Sequence, residues 1–212
     1  PQWFGRCRLQ ITKKQLRLLL RSDPHVSSGN NSVSAHSSSP RPLEGIRVLD
    51  FTRVLSGPHC TRMLSDLGAE VIKVEPPEGD LTRFAFPRVG SMSTYFAQQN
   101  IGKLNISLDL KQPEAIEIIK KLITECDVLV ENYRGGVMEK LGLGYGVLHE
   151  INPRLIYASI SGYGNTGPWK HRRAYATVVN AETGLTGIQA RARGVFPTND
   201  PHSHADVYTG ME

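Results

Sequence analysis

The 212-residue chain lacks several features that would each point to a familiar class. Its three cysteines, Cys7, Cys60 and Cys126, are widely spaced and form no CxxC pair. That argues against a disulfide framework and a zinc ribbon, and fits a reducing compartment. Long apolar runs are missing too: a stretch such as "EIIKKLITECDVLVEN" is broken by charge and falls short of the roughly 20 residues a membrane helix needs. Neither a GxxxxGK[ST] phosphate loop nor a GxSxG nucleophile elbow occurs. The first strand-to-helix turn, "TRVLSGPHC", contains Gly57 alone. Without the other glycines of a GxGxxG site the backbone cannot approach a pyrophosphate, and Glu75 by itself is weak evidence for a nicotinamide ribose contact.

Acidic residues are scarce at the start of the chain. Residues 1–42 hold seven Lys/Arg against Asp23 alone, whereas the remainder holds 18 bases and 19 acids. The net charge of +5 therefore belongs to the leader, and a near-neutral body gives no reason to expect a nucleic-acid partner. Within the leader, "VSSGNNSVSAHSSSPRP" has no apolar periodicity and reads as unstructured. The preceding "LQITKKQLRLLLR" has the pattern of a basic amphipathic helix. Arg-rich, Ser-rich and acid-poor composition suits a mitochondrial transit segment, and a flexible extension or an artefact of cloning or translation has the same composition. The compartment is accordingly read as cytoplasm or mitochondrial matrix. The sequence divides into residues 1–41, a disordered basic leader, and residues 42–212, the folded body.

That body alternates strands and helices. "GIRVLDF" is a short buried strand, "PHCTRMLSDL" a helix with Pro58 in its first turn and Gly68 just past its end, and "AEVIKVE" a second strand. This is a βαβ unit. The alternation continues with the strand "LNISLDL", the helix "PEAIEIIKKLITEC" with Ile116, Ile119 and Ile123 on one face, and the strand "DVLVENY". Two short helices in "GGVMEKLGLGYGVLHEIN" and the strand "PRLIYASISGYG" complete it. The predicted fold is α/β: a Rossmann-like open parallel sheet with flanking helices and ligand loops at the strands' carboxyl ends.

Two local features invite chemistry. Cys60 lies near a helix N-terminus, where a thiol can be acidified, although a small buried packing residue is the commoner outcome. In the tail "NDPHSHADVYTGME", Asp200, His202, His204 and Asp206 alternate. On a strand, His202, His204 and Asp206 would share one face and could hold a metal. A surface loop leading into a helix capped by Asp206 is the plainer reading.

Four blocks in order resemble the class III CoA-transferase family, which includes formyl-CoA and carnitine-CoA transferases. They are "PLEGIRVLDFTRVLSGPHCTRMLSDLGAEVIKVEPPEGDLTR", "NIGKLNISLDLK", "DVLVENYRGGVMEKLGLGY" and "INPRLIYASISGYGNTGP". The likeness runs from Pro42 to Glu212. It implies that Asp206, in a tract like the family's aspartate before Gly-Met, is the catalytic carboxylate, with no metal and with His202 and His204 bordering the pocket. CoA would pass from an acyl-CoA donor to a small carboxylic acid through an aspartyl mixed anhydride and an aspartyl-CoA thioester. No cofactor is implied beyond CoA as part of the substrate. The resemblance places CoA contacts at Leu55, Ser56, Leu108, Lys111, Asn132, Tyr133, Lys140, Ser161, Gly162 and Tyr163. Pro76 stands where a related enzyme has a cationic contact. It also implies an interlocked homodimer in the intact protein, and no nucleic-acid or membrane partner.

α-Methylacyl-CoA racemases share the family and use a His-Asp pair in the helix after the "GYG…GP" tract. Here Tyr175-Ala176 stand at that place and His171 precedes it, which disfavours racemisation. Relative to the family the chain corresponds to the N-terminal part of the large domain. Alone it is expected to be poorly active or aggregation-prone, and an inactive CoA-binding fragment is the alternative from a different class.

Overall fold

The computed structural model describes residues 40–199 and 202–212. The leader therefore lies outside the described residues except for Pro40 and Arg41. From Arg41 onward the chain forms one compact unit.

Strand β1 (Arg47–Asp50) leads to helix α1 (Ser56–Asp66) and strand β2 (Glu70–Glu75). α1 carries Pro58 in its first turn, where no intrahelical N–H bond is lost. It stops at Gly68, whose φ of +110° is one that a side chain would resist. A 3-10 turn (Leu81–Phe84) and a small hairpin, β3 (Arg88–Val89) with β4 (Met92–Ser93), precede helix α2 (Thr94–Asn100). The main alternation resumes with β5 (Leu104–Ser107), α3 (Pro113–Ile123) and β6 (Val128–Glu131). Short helices α4 (Val137–Lys140) and α5 (Tyr145–Ile151) follow, then β7 (Ile156–Ser159). Helices α6 (Ala176–Glu182), α7 (Leu185–Arg193) and α8 (His204–Met211) close the chain.

All five strands of the main sheet run parallel in the order β5-β2-β1-β6-β7. Setting the hairpin aside, this is the 3-2-1-4-5 order of a Rossmann-like sheet, an open parallel sheet being the fold class the alternation implied. The chain moves outward from β1 through β2 to β5, then returns to the other side of β1 as β6. Consecutive residues Val48 and Leu49 are both fully buried, the mark of a central strand covered on both faces. Val71, Ile72, Leu129 and Val130 repeat the pattern on the neighbouring strands, and Ile119, Leu122 and Ile123 supply the α3 face that packs over them. Each such side chain contributes about 1.5–3 kcal/mol by leaving water, enough to fix the register.

The structure adds the 3-10 turn, the β3–β4 hairpin and α7, for which no element was expected, and differs from expectation at further points. The strands are shorter than the apolar runs: β5 ends at Ser107, and Leu108 leaves the ladder after donating its N–H to Glu75 O at 2.8 Å. Helix α2, in "STYFAQQN", was not anticipated, although Ser93 caps it by accepting the Phe96 N–H at 3.2 Å. The tail is neither a strand nor a loop ahead of an Asp206 cap: α8 begins at His204 with Ser203 at its N-cap, so Asp206 sits inside the first turn.

Candidate active site

The strand order reverses between β1 and β6, so their carboxyl ends diverge and open a crevice. The loop after β1 is fixed from beneath by buried charges. Asp50, with no exposed surface, accepts hydrogen bonds from the Thr52 N–H (2.8 Å), the Thr52 hydroxyl (2.5 Å) and the Thr61 hydroxyl (2.7 Å). It also pairs with Lys103 Nζ at 3.1 Å. Burial lowers the Lys103 ammonium to about 8 against the pull of Asp50. Lys73 Nζ donates to Thr52 O at 2.7 Å and pairs with Asp80 at 3.3 Å. Burial pushes the Asp80 carboxyl up, but the Thr82 N–H and the Lys73 charge outweigh it and hold it below the ordinary carboxylate value.

These contacts impose an unusual backbone. Val54 has φ +69°, a left-handed conformation costly for a β-branched residue. Asp80 offsets part of that cost by accepting the Val54 N–H at 3.2 Å. On the other side Asn132, just past β6, clasps Arg53: its Oδ1 accepts the Arg53 N–H at 2.7 Å and its Nδ2 donates to Arg53 O at 2.8 Å. The β1–α1 and β6–α4 loops are thereby joined across the switch point. Glu131 anchors the second loop, accepting the Tyr133 N–H at 2.7 Å and bonding to the Ser159 hydroxyl. Burial raises its carboxyl.

Helix α8 brings the carboxylate. It lies against α1 with Gly210 at the closest approach, where a Cβ would stand 2.5 Å from Ser56 O and 3.3 Å from Cys60 N. Asp206 is one turn earlier on the same face, which carries it past the start of α1 to the crevice. It is half-buried, and burial alone raises its carboxyl above the ordinary value. Burial and then the Asp206 charge raise the phenol of Tyr95 on α2, which places that ring close to the carboxylate.

Asp206 opens into a cavity of about 450 Å³, within the usual range for small-ligand sites. Seven of the predicted CoA contacts, Leu55, Ser56, Asn132, Tyr133, Ser161, Gly162 and Tyr163, line the same cavity. Leu108, Lys111 and Lys140 do not: Leu108 is buried in the core, and the two lysines lie on exposed surface. Gly162 admits the close approach of Ala174, whose Cβ would overlap any side chain there.

Five basic residues in the wall escaped the sequence reading: Arg53, Arg134, Lys170, Arg172 and Arg173. Three come from the run "KHRR", a visible cluster whose position relative to the strand ends was not. Arg172 pairs with Glu182 at 2.8 Å and stacks over Tyr163 and Trp169. Among the described residues, Asp206 is the one carboxylate in the wall and no histidine joins it. His171 is exposed and outside the cavity; Tyr175 lines it.

In the described part of the tail, His202, His204 and Asp206 are not grouped to hold a metal. The rings of His202 and His204 lie tilted to one another at 5.4 Å, and His204 stacks on Tyr208 at 5.8 Å along α8. Among the described residues no group of three or more His, Cys, Asp or Glu is placed to hold a metal; Asp200 lies outside them. Cys60 is not acidified, since burial and then Asp50 raise its thiol, and Cys126 is pushed up to about 12 by burial. No helix among the described residues is long and apolar enough to cross a membrane.

Residues 43–212 match the family profile described as CoA-transferase family III. Mouse succinyl-CoA:glutarate CoA-transferase is 46% identical over 175 residues, covering 82% of this chain and 40% of the mouse protein. Acetyl-CoA:oxalate CoA-transferase of Acetobacter aceti is 50% identical over 145 residues, 68% of this chain and 37% of that protein. Of solved structures, a CAIB/BAIF family protein from Brucella suis aligns with TM-score 0.74 at 37% identity, covering 82% of this chain and 47% of that one. A hypothetical protein from Mycobacterium tuberculosis aligns with TM-score 0.74 at 41% identity, covering 81% and 47%. The chain spans about 40% of the length of the curated relatives it matches.

Proposed function

The chain belongs to CoA-transferase family III, and from that premise we propose that it carries the nucleophile of an enzyme moving CoA from an acyl-CoA to a dicarboxylic acid. The observation that carries this reading is that, among the described residues, Asp206 is the one carboxylate in a cavity whose other charged wall residues are cations. The acceptor class follows relatives named for glutarate and for oxalate.

Asp206 attacks the thioester carbonyl; the C–S bond breaks, giving a mixed anhydride and CoA thiolate. The thiolate attacks the Asp206 carbonyl, forming an aspartyl-CoA thioester and releasing the donor acid as its carboxylate. An acceptor carboxylate attacks that thioester to form a second anhydride and thiolate. The thiolate then attacks the acceptor's carbonyl, leaving as the new acyl-CoA and regenerating Asp206. Atoms and charge balance without an external proton or electron, and overall one thioester is exchanged for another of similar energy. The raised affinity of Asp206 for protons strengthens its ionised form as a nucleophile. The first turn of α1, with Ser56 in the wall, offers N–H groups lacking helical partners to the oxyanion or thiolate.

We further infer that residues 42–212 form the N-terminal part of the large domain of a homodimer in the cytoplasm or mitochondrial matrix. Exposed apolar side chains such as Phe86, Ile156 and Phe196 support a larger assembly. A racemase reading is less favoured, since no histidine stands in the wall to share proton transfer with Asp206.

The test is a transfer assay on the full natural chain with succinyl-CoA as donor and glutarate or oxalate as acceptor. A new acyl-CoA that disappears in Asp206→Asn supports the proposal. Equal turnover by the variant would refute it.

A further inference from the structure

We propose that Arg53 is the specificity-determining residue for the acceptor, gripping the carboxylate of a dicarboxylic acid that does not react. This rests on the transferase reading above and concerns the same cavity.

The side chain of Arg53 is out of keeping with its surroundings. Its Nε is buried without a hydrogen-bond partner, and no carboxylate among the described residues forms an ion pair with it. A buried guanidinium N–H left unpaired is costly, so a native fold retains one where an anion arrives. Arg53 lines the cavity that contains Asp206. The other cations of the wall differ from it: Arg134, Lys170 and Arg173 are exposed, and Arg172 is already paired with Glu182. Exposed cations suit the bulky, solvated phosphates of CoA. A half-buried guanidinium suits a small carboxylate taken out of water.

The backbone of Arg53 is also set in advance. Both its N–H and its C=O are held by the Asn132 side chain, and the next residue is fixed in a strained conformation by Asp80. The planar guanidinium can meet a carboxylate with two parallel hydrogen bonds. One carboxylate of the acceptor would thus be fixed by Arg53 while the other is presented to Asp206. A monocarboxylate offers Arg53 nothing, and its binding leaves the guanidinium unpaired, which is how a buried polar group discriminates.

The experiment uses the full natural chain and the variants Arg53→Lys and Arg53→Gln. Acetyl-CoA serves as donor, so that no second carboxylate enters with the thioester. The readout is the ratio of kcat/KM for glutarate to kcat/KM for valerate, two acids of equal chain length. We expect this ratio to fall about ten- to a hundredfold in Arg53→Gln, and by less in Arg53→Lys, which keeps the charge but loses the fork. Formation of the enzyme-CoA thioester from acetyl-CoA, measured alone, reports that each variant is folded. An unchanged ratio, or a rise confined to the KM of acetyl-CoA, overturns the proposal and assigns Arg53 elsewhere. A parent enzyme that moves CoA to valerate as readily as to glutarate also overturns it, while leaving the transferase reading intact. A parent that moves no CoA from acetyl-CoA or from succinyl-CoA overturns both.

Discussion

Asp206 is a half-buried carboxyl for which burial is the one cause shifting its affinity for protons upward. The sign of the consequence is definite. Between the ordinary carboxylate value and the raised one, the folded state holds more protons than the unfolded state, so stability falls as pH rises through that window and stays lower above it. Asp206→Asn removes the penalty, and we expect its Tm near neutrality to rise by about 1–2 °C although transfer is lost. Differential scanning calorimetry at pH 7 checks this; a marked fall in Tm would mean that the carboxylate holds the fold rather than strains it. The parent's transfer rate should decline as pH drops below the raised value, because a protonated carboxyl cannot attack a thioester. Asp206 stands out in the sequence because a short tract around it resembles a family motif, and the structure places it in the cavity wall. Arg53 does not stand out: a single arginine in "FTRVLSG" has no spacing signature, and its lack of a partner exists only in three dimensions.

The elements that present these residues were legible to different degrees. β1, α1, β2, α3 and β6 could be read because apolar runs, Pro58, Pro113 and Gly68 mark both their type and their ends. Which edge of β1 receives β6 could not be read from alternation, yet that placement creates the crevice. Helix α8 shows the same division. Its sequence "HADVYTGM" carries no strong apolar stripe, so its helical state depends on docking to α1 through Gly210. A methyl group at Gly210 would meet the Ser56 carbonyl, a backbone atom that cannot turn aside. Gly210→Ala is therefore expected to push α8 away from α1, at a cost of about 1–3 kcal/mol, and to move Asp206 with it. Urea denaturation together with kcat should show both losses. Unaltered kcat with a normal midpoint would mean that the α1–α8 approach does not set the nucleophile.

At the scale of the whole molecule, charge is distributed by purpose rather than by composition. The basic leader dominates the net charge of +5, while among the described residues five cations and one carboxylate line the cavity of a nearly neutral body. The pI hides this pattern, and the order of blocks along the chain reveals it only through resemblance to a family. The parallel sheet places α1, the β6 loop and the segment leading into α6 around one opening, and α8 adds the Asp206 carboxylate. The most direct test of that arrangement is intact-mass spectrometry of the full natural chain and of Asp206→Asn, each incubated with a panel of acyl-CoAs and then with hydroxylamine. We expect the parent to gain a covalent CoA adduct that hydroxylamine discharges to a hydroxamate at Asp206, and the variant to gain none. No adduct on the parent, with deuterium entering the acyl α-carbon in heavy water, would contradict the covalent role of Asp206 and indicate proton abstraction instead.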